Sequence, residues 1–264
     1  MKIGYLGPKG SYSYEAASQY KNENDNIIEF DTISKVVNEL EDRKIDKCIV
    51  PIENAIQGSV IDTMDSILKY DDVFIIDEII LDIKHSFMSK TKDGKIAKIY
   101  SHPQALAQCS EYLDEYYPDV KQVPVSSTSY AACLAEKESD TACICNSICK
   151  DLYKLEILSE NIQNIKDNQT KFIVLSKEKN KRPTQKTSVI FSTKDEPGAL
   201  YKILGLFSLG EINLTKIESR PAKTKLGEYM FFVDIVGDEK DIKISSILND
   251  ISKHCNEFRI IGSY

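Results

Sequence analysis

Along residues 1–175 short apolar runs alternate with amphipathic stretches, and this rhythm limits the possible folds more than any other feature. The runs at 2–6, 27–31, 46–52, 73–76, 96–100, 120–125, 141–145 and 172–175 have the length and apolar content of strands. Stretches between them, such as 34–42, 60–70, 104–117 and 129–137, carry apolar residues at helical spacing. Strands that alternate with helices need crossover connections, so the expected fold is α/β, with one mostly parallel sheet or two. In such sheets ligands gather beyond the carboxyl ends of the strands, where helices begin.

The rhythm breaks at SKEKNKRPTQK (176–186), which is polar, lysine-rich and interrupted by Pro183. A linker has this composition, and it divides the chain into expected domains 1–179 and 187–264. The tail reads strand 187–192, helix 198–209, strands 214–219 and 228–236, helix 241–252 and strand 257–261. That βαββαβ order is ferredoxin-like.

The balance of 41 acidic against 34 basic residues leaves no basic field to hold nucleic acid. Asp77, Glu78 and Asp82 interrupt the most apolar stretch, 73–83, so no membrane span is expected. The opening MKIGYLG lacks the apolar core of a signal peptide. Seven irregularly spaced cysteines fit reduced thiols in a cytoplasm better than a disulfide framework. Cys143, Cys145 and Cys149 invite a zinc reading, but no fourth ligand stands nearby, and packing as small apolar residues fits better. Gly4, Gly7 and Gly10, with Asp31 downstream, imitate a dinucleotide-binding loop, but the first interval is too long and Pro8-Lys9 occupies the turn.

Four junctions share one design in which a strand ends, small polar residues follow and a helix starts. They are GPKGSYS (7–13), PIENAIQGSV (51–60), SHPQ (101–104) and SST (126–128). Helix starts offer unpaired N–H groups and the positive end of the dipole, so several in one cleft would hold a polyanion. Each alone reads equally as an ordinary cap. In the third junction Pro103 suits a first helical turn, and Gln104 and Gln108 then lie on one face beside Ser101. That makes a row of neutral donors able to bind a carboxylate or a hydroxyl.

PIENAIQGSV (51–60), SHPQALAQC (101–109) and NQTKF (168–172) resemble, in this order, signature segments of the prephenate dehydratase family. GPKGSYS (7–13) is similar to its glycine-rich opening, and EPGALYKIL (196–204) and ESRP (218–221) resemble effector motifs of its ACT domain. The resemblance spans essentially the whole chain. It implies a two-lobed catalytic domain like type II periplasmic binding proteins, followed by the ACT domain, in a homodimer or homotetramer. No chorismate mutase helices precede the opening motif, so the monofunctional form is expected.

The implied reaction turns prephenate into phenylpyruvate, losing carbon dioxide and the ring hydroxyl, with no metal or cofactor. Thr170 falls where the family has its proposed proton donor; the residue alone reads as a threonine opening a strand. Asn54, Ser101, Gln104, Gln108, Ser11 and Lys171 are the implied substrate-binding residues. Lys171 stands where arginine is usual, which keeps the charge but gives up the bidentate fork. Ala55, Asn164 and Ser126 also depart from the common pattern. Glu53, a carboxylate beside a dianion, reads as orienting Asn54 or a neighbouring backbone group, and His102 reads equally as an acid or a structural contact. Phenylalanine is the implied effector, held between two ACT domains by Gly198, Ala199, Leu200, Glu218, Ser219 and Arg220. Arg220 reads equally as an exposed surface residue. Arogenate, the aminated analogue, is an alternative substrate, and a non-catalytic amino-acid sensor an alternative role.

Overall fold

A computed structural model of the chain describes residues 1–92, 94–222 and 228–264. It divides into two compact units: Met1–Asp71 with Ile79–Val174, and Asp72–Glu78 with Leu175–Tyr264. The first begins β1 (Lys2–Leu6), α1 (Tyr12–Tyr20), β2 (Asn26–Phe30), α2 (Ile33–Glu41), β3 (Lys47–Asn54), β4 (Gly58–Ser59) and α3 (Ile61–Leu68). Then come β5 (Phe74–Asp82), β6 (Ser86–Ser89), β7 (Lys98–Ser101), α4 (Pro103–Gln108), α5 (Ser110–Tyr116) and β8 (Lys121–Pro124). α6 (Thr128–Lys137), β9 (Thr141–Cys145), α7 (Cys149–Tyr153), β10 (Glu156–Ser159) and β11 (Gln169–Ser176) complete it, with β5 and β11 running across the division.

Two sheets organise the first unit. In one, β1 lies between β2 and β3, parallel to both, and β11 follows β3. The other runs β10-β6-β9-β7-β8, parallel around β7 and antiparallel at β6. Alternation along its strands fills two cores. Phe87, Ile99, Ala142 and Ile144 face Leu106 and Leu113, whereas Met88, Tyr100, Cys143 and Cys145 face Ala131, Ala135 and Cys149. The three cysteines are thus small apolar core residues. The sulfur contact with Cys143, followed by burial, pushes the Cys145 thiol well above its ordinary range, and contact with Cys145 together with burial does the same to Cys149. Among the described residues no group of three or more His, Cys, Asp or Glu could hold a metal ion.

The structure corrects two sequence expectations here. The single helix expected at 104–117 is broken at Cys109 (φ −117°, ψ 17°). Asn164 makes the break: its N–H takes the Gln108 carbonyl at 2.7 Å, while its side chain accepts from the Glu111 N–H and donates to Ser110. The Gln108 carbonyl is therefore occupied from outside, and the second helix starts on a borrowed cap. The second junction is a hairpin, β3 returning as β4 with Glu53 opposite Ser59 and Asn54 opposite Gly58, before the helix begins.

The second unit contains β12 (Lys186–Thr193), α8 (Ala199–Leu209), β13 (Leu214–Pro221), β14 (Tyr229–Val236), α9 (Ile242–Ser252) and β15 (Cys255–Ser263). Its strands run antiparallel in the order β13-β14-β12-β15, the ferredoxin-like arrangement expected from the tail. Val189, Phe191, Val233 and Ile235 pack on Ile203, Phe207, Leu248 and Ile251 of the two helices. Residues 72–78 belong to this unit through a parallel pairing of Gly262 with Ile75. A Cβ at Gly262 would lie 2.1 Å from the Ile75 carbonyl oxygen, so this approach requires glycine.

Candidate active site

Two sequence motifs meet at one side chain. In the β3–β4 turn, Asn54 Oδ1 accepts from the N–H groups of Ile56 (3.1 Å) and Gln57 (3.0 Å). Its nitrogen is therefore what points away, and Nδ2 donates to Asn168 Oδ1 (2.9 Å), the Gln169 carbonyl (3.2 Å) and Thr170 Oγ1 (2.8 Å). Thr170 opens the buried run of β11 and is 9% exposed. Next to it, Lys171 Nζ lies 3.6 Å from Glu53, so the lysine offsets that carboxylate. Asn54 acts on Thr170 and Asn168 rather than reaching outward, and Glu53 faces Lys171.

The third motif supplies a wall. Ser101 ends β7 fully buried and donates to the Ile144 carbonyl at 2.6 Å, so its hydroxyl ties two strands together. His102 caps α4 through Nδ1, which accepts from the Gln104 N–H at 3.3 Å. Gln104 and Gln108 follow on the helical face that lines a cleft of about 470 Å³. Gln57, Gln163, Asn164 and Asn168 line it as well, making six amide side chains together with Ile56, Ala107, Glu111 and Ile165. No lysine or arginine is among these lining residues, and Glu111 is the one ionisable group. Thr170 is joined to the lining through Asn54 and Asn168.

His85 belongs to this cleft, although no motif marks it. It is 3% exposed, its Nε2 lies 2.9 Å from Gln108 Oε1, and its N–H donates to Gln163 Oε1 at 3.0 Å. The Tyr12 ring meets the imidazole edge-on with centroids 6.2 Å apart. Burial holds the imidazole below its ordinary pKa against the opposing effect of the bond to Gln108, so the ring is neutral near pH 7. Gln163 and Asn168 were also not singled out from the sequence. Both lie in or beside quoted segments, and only the fold turns them toward the cleft.

At the remaining junctions the polar residues serve as caps. Ser11 accepts from the Tyr14 N–H and donates to the Leu6 carbonyl, and Ser127 accepts from the Tyr130 N–H, so neither lines the cleft. The glycine-rich loop after β1 is closed to phosphate by Glu29, which accepts from the Lys9 N–H at 2.9 Å. A dinucleotide would meet that carboxylate where it needs donors.

A second cavity of about 500 Å³ lies in the other unit, lined by Gly198, Ala199, Leu200, Glu196, Glu228, Tyr229, Phe231 and Asn256 among others. Gly198 caps α8 with φ +82°, and no atom comes within 4 Å of where its Cβ would stand. Of the expected β13 residues, Ser219 is paired with Phe231 and so shares its face. Glu218 and Arg220 pair with Phe232 and Met230 on the opposite face, because successive strand residues alternate. The structure does not bring those two to this cavity.

The chain resembles known proteins in both sequence and fold. The family model for prephenate dehydratase matches residues 3–180, and that for the ACT domain matches residues 187–252. A prephenate dehydratase of Lactococcus lactis is 38% identical, covering 100% of this chain and 97% of its own. The prephenate dehydratase of Arthrobacter aurescens, solved in complex with L-Phe, superposes with a TM-score of 0.90 at 29% identity, over 100% of this chain and 89% of its own. A structure described as GqqA, a novel type of quorum quenching acylase, has a TM-score of 0.89 at 23% identity, covering 100% and 97%, a likeness of fold alone. With more than half of its length matched by one family model and the ACT domain following in order, this chain belongs to the prephenate dehydratase family.

Proposed function

We propose that this chain converts prephenate to phenylpyruvate and that phenylalanine inhibits it through the ACT region. The observation that carries the catalytic reading is the bond from Asn54 Nδ2 to Thr170 Oγ1. A hydroxyl that already accepts one hydrogen bond keeps its own proton for another partner. Thr170 thus donates to the leaving ring hydroxyl. As a weak acid it relays a proton or hydrogen-bonds rather than ionising freely. Loss of the hydroxyl and of carbon dioxide makes the ring aromatic, so the substrate supplies the driving force. The chain supplies orientation, a donor for the departing oxygen, and a cleft wall of neutral amides, with no lysine or arginine among its lining residues to hold back the departing carboxylate.

Gln104 and Gln108 bind the substrate from the cleft wall. Asn54 orients Thr170, and Lys171 offsets Glu53 and adds positive charge near the dianion. Ser11 and Ser101 keep the surrounding backbone in place. Residues 1–179 form the catalytic domain and 187–264 the regulatory one. In the second cavity the start of α8 receives the carboxylate of phenylalanine, and Glu196 and Glu228 face its ammonium group. The working form is a homodimer or homotetramer, and the seven free cysteines suit the cytoplasm.

The test is to incubate purified protein separately with prephenate and with arogenate and to measure phenylpyruvate and phenylalanine. Phenylpyruvate from prephenate is the expected result. Phenylalanine from arogenate alone would move the assignment to the aminated substrate, and neither product would leave the sensor reading.

A further inference from the structure

We infer that His85 is a positioning residue that fixes the amides of the cleft with their nitrogens outward, so that neutral donors hold a carboxylate of the substrate. The inference rests on the dehydratase reading and assigns a recognition mode to the same cleft.

Hydrogen-bond logic sets each orientation. A backbone N–H can only donate, so the His85 N–H requires the oxygen of Gln163 at 3.0 Å and leaves that amide nitrogen over. The N–H groups of Ile56 and Gln57 hold the oxygen of Asn54 in the same way. Asn54 therefore presents its nitrogen to Asn168, which must answer with oxygen at 2.9 Å and keep its own nitrogen over.

Gln108 depends on the imidazole tautomer. His85 Nδ1 is buried and has no partner among the described residues. A proton on Nδ1 would leave an orphaned N–H, which folded proteins avoid more strictly than an orphaned acceptor. The proton therefore sits on Nε2 and is donated to Gln108 Oε1 at 2.9 Å, which turns the Gln108 nitrogen away from the ring. Burial keeps the ring neutral, so it has a single N–H to give.

The nitrogens of Gln108, Gln163 and Asn168 have no partner among the described residues, and none of the three is sealed from solvent. All three residues line the cleft. Their oxygens face the protein and their N–H groups face the cavity, a surface complementary to carboxylate oxygens. Two of the three are set by His85, one by its ring and one by its backbone.

The wild-type protein gives the first test. With ¹⁵N-labelled histidine, one of the three histidines should show a neutral ring protonated at Nε2 near pH 7, and its signal should vanish in His85→Gln. A proton on Nδ1 of His85 would overturn the inference. Kinetics give the second. His85→Leu should raise KM for prephenate about 10-fold or more, the worth of hydrogen bonds to a charged group, with kcat little changed. His85→Gln, whose amide nitrogen reaches the place of Nε2, should recover most of that loss. Because His85 acts through Gln108, adding His85→Leu to Gln108→Leu should cost little more than Gln108→Leu alone. Unchanged KM in His85→Leu, or fully multiplicative effects, would refute the role. If wild-type protein forms no phenylpyruvate from prephenate, the functional reading fails by itself, and the tautomer measurement still decides the orientation of Gln108.

Discussion

Replacing Thr170 by valine keeps the volume and β-branching of the side chain and removes one oxygen. Structure separates the two costs of that change. Asn54 Nδ2 loses its 2.8 Å acceptor but retains Asn168 Oδ1 at 2.9 Å and the Gln169 carbonyl at 3.2 Å, so no buried donor is orphaned. One net hydrogen bond is worth about 1 kcal/mol. In a chain of this size that lowers the thermal midpoint by roughly 2–4 °C. The catalytic cost is larger. Without a donor for the leaving hydroxyl, kcat should fall by about 10²-fold, equivalent to about 2.7 kcal/mol of transition-state stabilisation, with KM little changed. Thr170→Ser retains the hydroxyl and should keep most of the activity. The assay is initial-rate formation of phenylpyruvate from prephenate at saturating substrate, beside a thermal melt of each variant. A folded Thr170→Val protein that turns over within about threefold of wild type would remove the hydroxyl from the chemistry.

Lys171→Met should leave Glu53 without its 3.6 Å partner and raise KM for prephenate, whereas Lys171→Arg should be tolerated and bind at least as tightly. If the methionine variant binds prephenate normally, the lysine is only a strand-end charge. Gly198→Val meets open space but forces a branched residue to φ +82°, so phenylalanine inhibition should weaken about 10-fold or more while basal turnover stays near wild type. Inhibition curves with and without the substitution decide this, and unaltered inhibition would move the effector away from the start of α8. Gly262→Ala drives a Cβ to 2.1 Å from the Ile75 carbonyl oxygen, where backbone cannot yield cheaply. It should cost about 2 kcal/mol or more, seen as a lowered thermal midpoint, and an unshifted melt would show that β5 and β15 separate without penalty.

Much of this protein was legible in local sequence because local forces write it there. Alternating apolar runs act within a few positions, so the α/β alternation and the βαββαβ order of the tail could be read directly, whereas capping by Ser11 and Ser127 stood beside a binding role until the structure placed them. The motifs 51–60, 101–109 and 168–172 pointed to the right family, and of the substrate-binding residues read from them Gln104 and Gln108 line the cleft. What those side chains do was decided by contacts across the chain. Ser101 looks like a binding hydroxyl, yet it is spent on the carbonyl of Ile144, 43 residues away. Asn54 turns on Thr170, 116 residues on, and α4 stops because Asn164 takes its last carbonyl. His85 left no trace in its own segment, because its role lies in Gln108 and Gln163, 23 and 78 residues distant. Periodicity records which face of an element is buried. Which donor meets which acceptor is settled only when distant segments pack, and here that pairing decides what the cleft presents to its substrate.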